Sequence, residues 1–287
     1  MSSFWSGKKV LVTGHTGFVG SWLSLWLHLL GAEITGFALA PKTEPNLFAL
    51  LSLETHINSV IGDIRDPKGV MDVCKAVNPD VVLHLAAQPL VRYSYTNPLE
   101  TYQTNVLGTV HLLEYFRQAS ETRVFLNVTT DKCYENKEWI WSYRENERLG
   151  GHDPYSNSKA CSELVTSSYY KSFFQGKANK GLATARAGNI IGGGDWSEDR
   201  LIPDFIRAAK GKQNIVIRNP QATRPWLYIL DPIHGYLTLA EKLWKNPEQF
   251  SGAWNFGPRQ DGAQSVEYIV DKLCTLWPEK MNWQRDQ

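Results

Sequence analysis

The chain has 287 residues, of which 43% are hydrophobic and 21% charged, and a formal net charge of +1. That composition excludes a disordered or fibrous chain and suits one large domain or two interlocked ones. Lys and Arg are spread along the whole length, so neither a nucleic-acid footprint nor a polybasic membrane patch is present, and any bound anion must be met by local groups.

The opening "MSSFWSGKKVLVTG" lacks the apolar region of a signal peptide and leads into a first strand, "KKVLVTG". Next comes "GHTGFVG", with Gly14, Gly17 and Gly20 opening the helix "FVGSWLSLWLHLLG", a run too short and interrupted to span a bilayer. A glycine triad between strand and helix allows a tight turn and brings a pyrophosphate close to the backbone and the helix N-terminus, so this stretch predicts dinucleotide binding. The second strand, "EITGFAL", should end in an acid for the adenosine ribose. Instead "TGFALAPKTEP" offers only apolar residues there, Glu33 precedes the strand, and Lys42 is a candidate partner for a 2′-phosphate, which leaves NAD or NADP open at this point. After a third strand, "INSVIGD", the segment "GDIRD" supplies Asp63, either an acceptor for the adenine amino group or a helix cap.

Further β-branched runs, "PDVVLHLAA", "TRVFLNVTT" and "LATARAGNII", alternate with helix-period segments, which predicts a parallel sheet with helices on both faces. The fifth run ends in "TTDKCYENKEW", which sets a hydroxyl, an acid and a base side by side as Thr130, Asp131 and Lys132. In "YSNSK", Tyr155 and Lys159 are four residues apart and share one helix face. A nearby ammonium and a positive nicotinamide would lower the phenol from its ordinary pKa of about 10 toward working pH. With Thr130 they form a hydroxyl, phenol and ammonium set for taking a proton from an alcohol while its hydride leaves.

After about Gly192 the pattern loosens into Gly/Pro-rich loops, a strand-like "NIVIRNP", and helices near Asp231–Trp244 and Ser265–Trp277. The expected architecture is α/β: a Rossmann-type doubly wound parallel sheet over residues 1–190 with a smaller α/β substrate-binding cap over 191–287. In "ATRPW" the Arg224 guanidinium suits bidentate phosphate contact, the alternative being a surface salt bridge. Cys74, Cys133, Cys161 and Cys274 lie far apart with no CxxC pair, so neither a zinc site nor a disulfide framework is indicated, and a reducing cytoplasm is expected.

Through "GHTGF", "HLAAQPLVR", "TDKCYENKEW", "GGHDPYSNSK", "ARAGNIIGGGDW", "DRLIP" and "RPW", from about Phe4 to Trp277, the chain resembles the extended short-chain dehydrogenase/reductases, and within them the nucleotide-sugar 4,6-dehydratases. The resemblance implies a lyase with NAD as cofactor, CDP-glucose as substrate, no metal, and a homodimer formed through helices of the first domain. It implies that Thr130, Tyr155 and Lys159 oxidise the sugar at C4 and that Asp131 is the acid toward the departing C6 hydroxyl. Cofactor contacts would come from Gly14, Thr16, Gly17, Phe18, Gly20, Asp63, Ile64, Leu85, Ala86, Ala87 and Thr104, together with Tyr155 and Lys159. Substrate contacts would come from Gln88, Asn189, Arg200, Leu201 and Arg224.

In the wider group a Glu follows the Asp and suits removal of the C5 proton, whereas this chain has Lys132. Lys132 is then either a neutral base, which requires its pKa of about 10.4 to fall by roughly three units through burial beside Lys159, or a charged partner of Asp131 or Glu135 that stabilises the enolate. "RPWLYILDP" carries Leu227 and Tyr228 where more polar neighbours are expected, and the stop at "WQRDQ" leaves two readings, a fragment or a C-terminally shortened cap. The rival readings are a nucleotide-sugar 4-epimerase, which has no need of an acid at Asp131, and a non-catalytic NAD-binding module.

Overall fold

Continuous apolar runs four to seven residues long cannot leave one face in water, so they assemble where both faces are covered. In the computed structural model, which describes residues 2–259 and 262–286, β1 (Lys9–Thr13), β2 (Glu33–Ala38), β3 (Asn58–Ile61), β4 (Val81–His84), β5 (Val124–Val128) and β6 (Gly181–Ala187) do so in one parallel sheet. Alternate side chains take opposite faces. Val10, Val12, Val81, Leu83, Val124 and Leu126 pack with Leu23 and Leu27 of the helix Phe18–Leu29 and with Ile233, Tyr236 and Leu237 of the helix Leu230–Lys245. Leu11, Val82, Phe125 and Leu182 pack on the other side with Val70, Val73, Leu112 and Phe116 from the helices Pro67–Val77 and Gly108–Gln118.

"LATARAGNII" is two strands rather than one: β6 ends at Ala187, and β7 (Asn189–Ile191) belongs to another sheet. The break falls at Gly188, where a Cβ would lie 2.6 Å from Pro225 Cγ and 2.9 Å from the Pro225 carbonyl oxygen. The chain can therefore turn there only because the residue has no side chain. "NIVIRNP" contributes β8 (Ile215–Ile217), and "TRPWLY" forms β9 (Thr223–Tyr228). The seventh strand of the main sheet is β10 (Gly252–Phe256), parallel to β6, so the sheet draws on chain far beyond residue 190, where it was expected to be complete. Two further strands, β11 (Ala263–Ser265) and β12 (Trp283–Arg285), complete a three-stranded sheet β11-β9-β7 and a two-stranded pair β12-β8. Phe205, Ala209, Ile215, Ile217 and Val270 form a separate small core there.

The main sheet runs β10-β6-β5-β4-β1-β2-β3. The chain winds outward from β1 to β3, then returns to β4 on the other side of β1 and winds the opposite way. In such sheets the ligand crevice opens beyond the carboxyl ends of the strands where the order reverses. Gly14 after β1 and Leu85–Ala87 after β4 meet at this point. Among the described residues no helix is long and apolar enough to cross a membrane.

Candidate active site

The crevice floor follows from the absence of side chains at two glycines. Gly14 has φ +78°, a left-handed conformation that L side chains avoid, and a Cβ there would stand 2.8 Å from the Ala86 nitrogen. A Cβ on Gly20 would stand 2.1 Å from the Gly14 carbonyl oxygen, so helix and turn could not close together. Gly17 is the N-cap of the helix Phe18–Leu29 and caps with no side chain, which leaves the first-turn N–H groups of Phe18, Val19 and Gly20 without acceptors inside the helix. Thr16 Oγ1 donates to the Leu39 carbonyl (2.9 Å), tying the turn to the end of β2. Leu85 and Ala86 each donate a backbone N–H to Thr13 Oγ1 (3.2 Å), with Ala87 next in the same loop. An uncapped helix N-terminus over a side-chain-free turn fits the pyrophosphate of a dinucleotide.

Toward the adenosine end, Ile64 is buried under Gly108, and its carbonyl is bonded to His111 Nδ1 (2.9 Å). Asp63 is not the helix cap; Asp66 is, accepting from the Lys68 backbone N–H (3.0 Å) ahead of Pro67. Asp63 accepts two bonds from the Arg65 guanidinium (2.8 and 2.6 Å), which holds its carboxyl below the usual range. Thr104 is half-buried in the irregular turn Gln103–Leu107. Glu33 proves to be the first residue of β2, at the strand end away from the crevice. Lys42 lies with Nζ 5.9 Å from the Tyr93 ring centroid.

Thr130 follows β5, and the turn Asp131–Cys133 begins on it. Its hydroxyl donates to Asp131 Oδ1 (3.1 Å), and it lies close enough to the Tyr155 phenol to pull its pKa down. Tyr155 and Lys159 lie on the helix Pro154–Tyr169, started by Asp153, which accepts from the Ser156 N–H (2.9 Å), and by Pro154 in the first turn. Both side chains are buried, and Lys159 Nζ donates to the Val128 carbonyl (3.2 Å). The sequence reading had Lys159 lowering the phenol's pKa. Here burial is the largest influence and pushes it up, while nearby Thr130 and the charge of Arg200 pull it down. Burial also lowers Lys159 to about 8, against the opposing charge of Glu163.

Lys132 pairs with Asp131 (Nζ to Oδ1, 3.8 Å) and its side chain is 41% exposed, so the burial that action as a neutral base requires is not there. Glu135, the other partner considered, faces Arg148 instead (3.4 Å).

On the cap side, Asn189 opens β7 with Oδ1 buried and without a hydrogen-bond partner among the described residues. Arg200 is the N-cap residue of the helix Leu201–Lys210, near enough to Tyr155 for its charge to be felt, and Leu201 is half-buried beside it. Arg224 on β9 donates to the Thr223 carbonyl (2.9 Å) and meets no carboxylate among the described residues, so the salt-bridge alternative fails. Gln88 is a correction: its amide is turned inward, accepting from the Leu90 N–H (2.6 Å) and donating to Thr101 Oγ1 (2.9 Å) and the Leu90 carbonyl (3.1 Å). It shapes the loop rather than facing a ligand. Leu227 is apolar because it belongs to the main core, while Tyr228 beside it is exposed.

Sequence reasoning missed two contacts at this site. Arg92 bonds Asp199 across the crevice (2.8 Å), and Ser94 Oγ accepts the Tyr155 backbone N–H (3.1 Å). Arg92 closes the quoted "HLAAQPLVR", so motif membership was the available signal.

Residues 11–253 match the family described as GDP-mannose 4,6 dehydratase. The chain is 53% identical over 289 residues to CDP-glucose 4,6-dehydratase of Salmonella typhimurium, covering 99% of this chain and 80% of that protein. It is 29% identical over 277 residues to dTDP-glucose 4,6-dehydratase of Xanthomonas campestris pv. campestris, covering 93% and 75%. Among solved structures, UDP-N-acetylglucosamine 4-epimerase from Methanobrevibacter ruminantium, in complex with UDP-N-acetylmuramic acid, superposes with TM-score 0.83 at 20% identity, covering 98% of this chain and 86% of that one. The dTDP-glucose 4,6-dehydratase from Bacillus anthracis in complex with NAD gives 0.78 at 22% identity, covering 97% and 84%. At those identities the structures establish the fold, while the sequence matches carry the family: the chain belongs to the GDP-mannose 4,6 dehydratase family.

Proposed function

We propose that this protein converts CDP-glucose to CDP-4-keto-6-deoxyglucose, an NAD-dependent dehydration at C5 and C6 of the sugar. The observation that carries it is the 53% identity to a CDP-glucose 4,6-dehydratase over 99% of the chain, in a fold that joins the Thr130–Asp131 hydroxyl and acid to Tyr155 and Lys159. NAD, when bound, accepts the C4 hydride and returns it to C6. Gly14, Gly17, Gly20 and the uncapped helix would hold its pyrophosphate, with Asp63, Ile64 and Thr104 toward the adenine.

Thr130 orients the C4 hydroxyl, and Tyr155 takes its proton, helped by nearby Thr130 and by the charge of Arg200. The ketone at C4 acidifies the C5 hydrogen. A water molecule takes the C5 proton; Asp131, about one-third exposed, protonates the departing C6 hydroxyl, and Lys132, ion-paired with it at 3.8 Å, stabilises the enolate formed in between. Asn189 and Arg224 supply an acceptor and a cation, each unmatched among the described residues, for the nucleotide sugar. An epimerase would share Thr130, Tyr155 and Lys159 but give Asp131 no work. We assign cofactor binding to the main sheet, β10 included, and sugar binding to β7–β9, β11, β12 and their helices. Exposed Leu99, Leu107 and Leu164 on neighbouring helices favour a homodimer, which sedimentation would read.

Incubation with CDP-glucose and NAD should yield the 4-keto-6-deoxy product, with water loss seen by mass spectrometry. Release of a C4 epimer, or of unchanged sugar, would overturn the assignment. Calorimetric titration should give tighter binding for NAD than for NADP, because Lys42 alone on the β2–β3 loop could meet a 2′-phosphate and it lies over Tyr93. Tighter NADP binding would show that Lys42 reads that phosphate.

A further inference from the structure

Among the described residues one ion pair lies in the interior with both side chains almost fully covered: Arg186 Nη2 and Glu163 Oε2 are 2.8 Å apart, at 4% and 2% exposure. Such pairs often add no net stability over well-packed apolar residues, so a second reason for this one is worth seeking. Its partners supply it. The Glu163 carboxylate accepts from Thr129 Oγ1 and from Thr184 Oγ1 (2.7 Å). Arg186 Nη1 donates to the Tyr134 hydroxyl (2.7 Å) and to the Glu145 carbonyl (3.0 Å), and the Tyr134 hydroxyl donates to Asn255 Oδ1 (2.7 Å).

Thr129 immediately precedes Thr130, and Tyr134 immediately follows the turn Asp131–Cys133. Glu163 itself is one helical turn beyond Lys159 and two beyond Tyr155 on the helix Pro154–Tyr169. The pair therefore touches both ends of the segment that carries the hydroxyl, the acid and Lys132, and it is anchored on the element that carries the phenol and the ammonium.

We propose that Glu163 and Arg186 are positioning residues that clamp Thr129 and Tyr134, and with them the Thr130–Lys132 turn, onto the helix bearing Tyr155 and Lys159. The reason is geometric. The segment before and the segment after the turn each end on one member of the pair, so neither can shift without breaking a buried charged contact. Glu163 acts in a second way through its charge, which opposes the fall that burial imposes on Lys159 and keeps it an ammonium.

The inference rests on the dehydratase reading; wild-type turnover of CDP-glucose tests that reading, and the ratio of variant to wild type tests the pair. In the double variant Glu163→Leu, Arg186→Met both charges leave together, so no buried ion is stranded and the protein should fold with nearly wild-type thermal stability and NAD affinity. We expect kcat to fall at least about a hundredfold with KM for CDP-glucose within about threefold, as a displaced catalytic turn predicts. Wild-type kcat in the folded double variant would overturn the proposal. Should that variant fail to fold, Glu163→Gln carries the test. Its single amide oxygen can still accept from one of the two threonine hydroxyls while the charge is gone, so Lys159 loses its proton at lower pH and the alkaline limb of the kcat profile should move down by about one unit. An alkaline limb left in place would overturn the proposal, since a purely structural Glu163 would not move it.

Discussion

Tyr155→Phe should abolish product formation, lowering turnover by about a thousandfold or more, with NAD affinity and thermal stability close to wild type. Only one oxygen is removed. The ring keeps its buried place, and Thr130 retains its contact to Asp131 (3.1 Å). Turnover measured beside a melting curve separates the possibilities. Activity within tenfold of wild type would mean that another group takes the C4 proton, with Thr130 the nearest alternative.

The second large effect is expected at Asp131. Asp131→Asn keeps the shape and an acceptor for the Thr130 hydroxyl but cannot give up a proton at the C6 oxygen, so water loss should slow by on the order of 10² to 10⁴. Oxidation at C4 does not need this acid, and the hydrogen at C5 should still exchange with solvent deuterium. Mass spectrometry of the sugar in deuterated buffer reads both events, and water loss at the wild-type rate would remove Asp131 from the role of acid. Lys132→Met in the same assay separates the two readings of the lysine. Because its side chain is 41% exposed and paired with Asp131, exchange at C5 should be slowed but retained. Complete loss of exchange with C4 oxidation intact would make Lys132 itself the base.

The sheet was legible because its signal is local. Strand runs such as "KKVLVT" and "RVFLNV" owe their continuous apolar character to burial on both faces, and the helix-period segments between them carry the apolar stripes that cover those faces. The glycine turn was legible for a similar reason, since Gly14 and Gly20 are demanded by one backbone conformation and one close approach. The spacing of Tyr155 and Lys159 needed only the helix repeat.

Other features were decided by partners distant in the chain. Nothing local in "LATARAGNII" marks the switch of sheet at Gly188, because the atom that forbids a side chain there belongs to Pro225. Gln88 reads as a contact residue until the bond to Thr101 turns it inward, and Asp63 reads as a cap until Arg65 claims it and Asp66 takes the helix. β10 reaches the sheet only after the chain has passed through β7, β8 and β9 of the smaller sheets.

What the sequence by itself determined was the menu of elements and the chemical groups at their ends, because period, turn chemistry and motif spacing are set by neighbours along the chain. The tertiary structure decided which of those groups are buried and paired. Burial pushes the Tyr155 phenol up and brings Lys159 down to about 8, exposure leaves Lys132 beside Asp131, and the buried contact between Glu163 and Arg186 joins residues 23 positions apart. Desolvation and charge pairing depend on what lies within a few ångströms in space, and for these side chains most of those atoms come from other strands and helices.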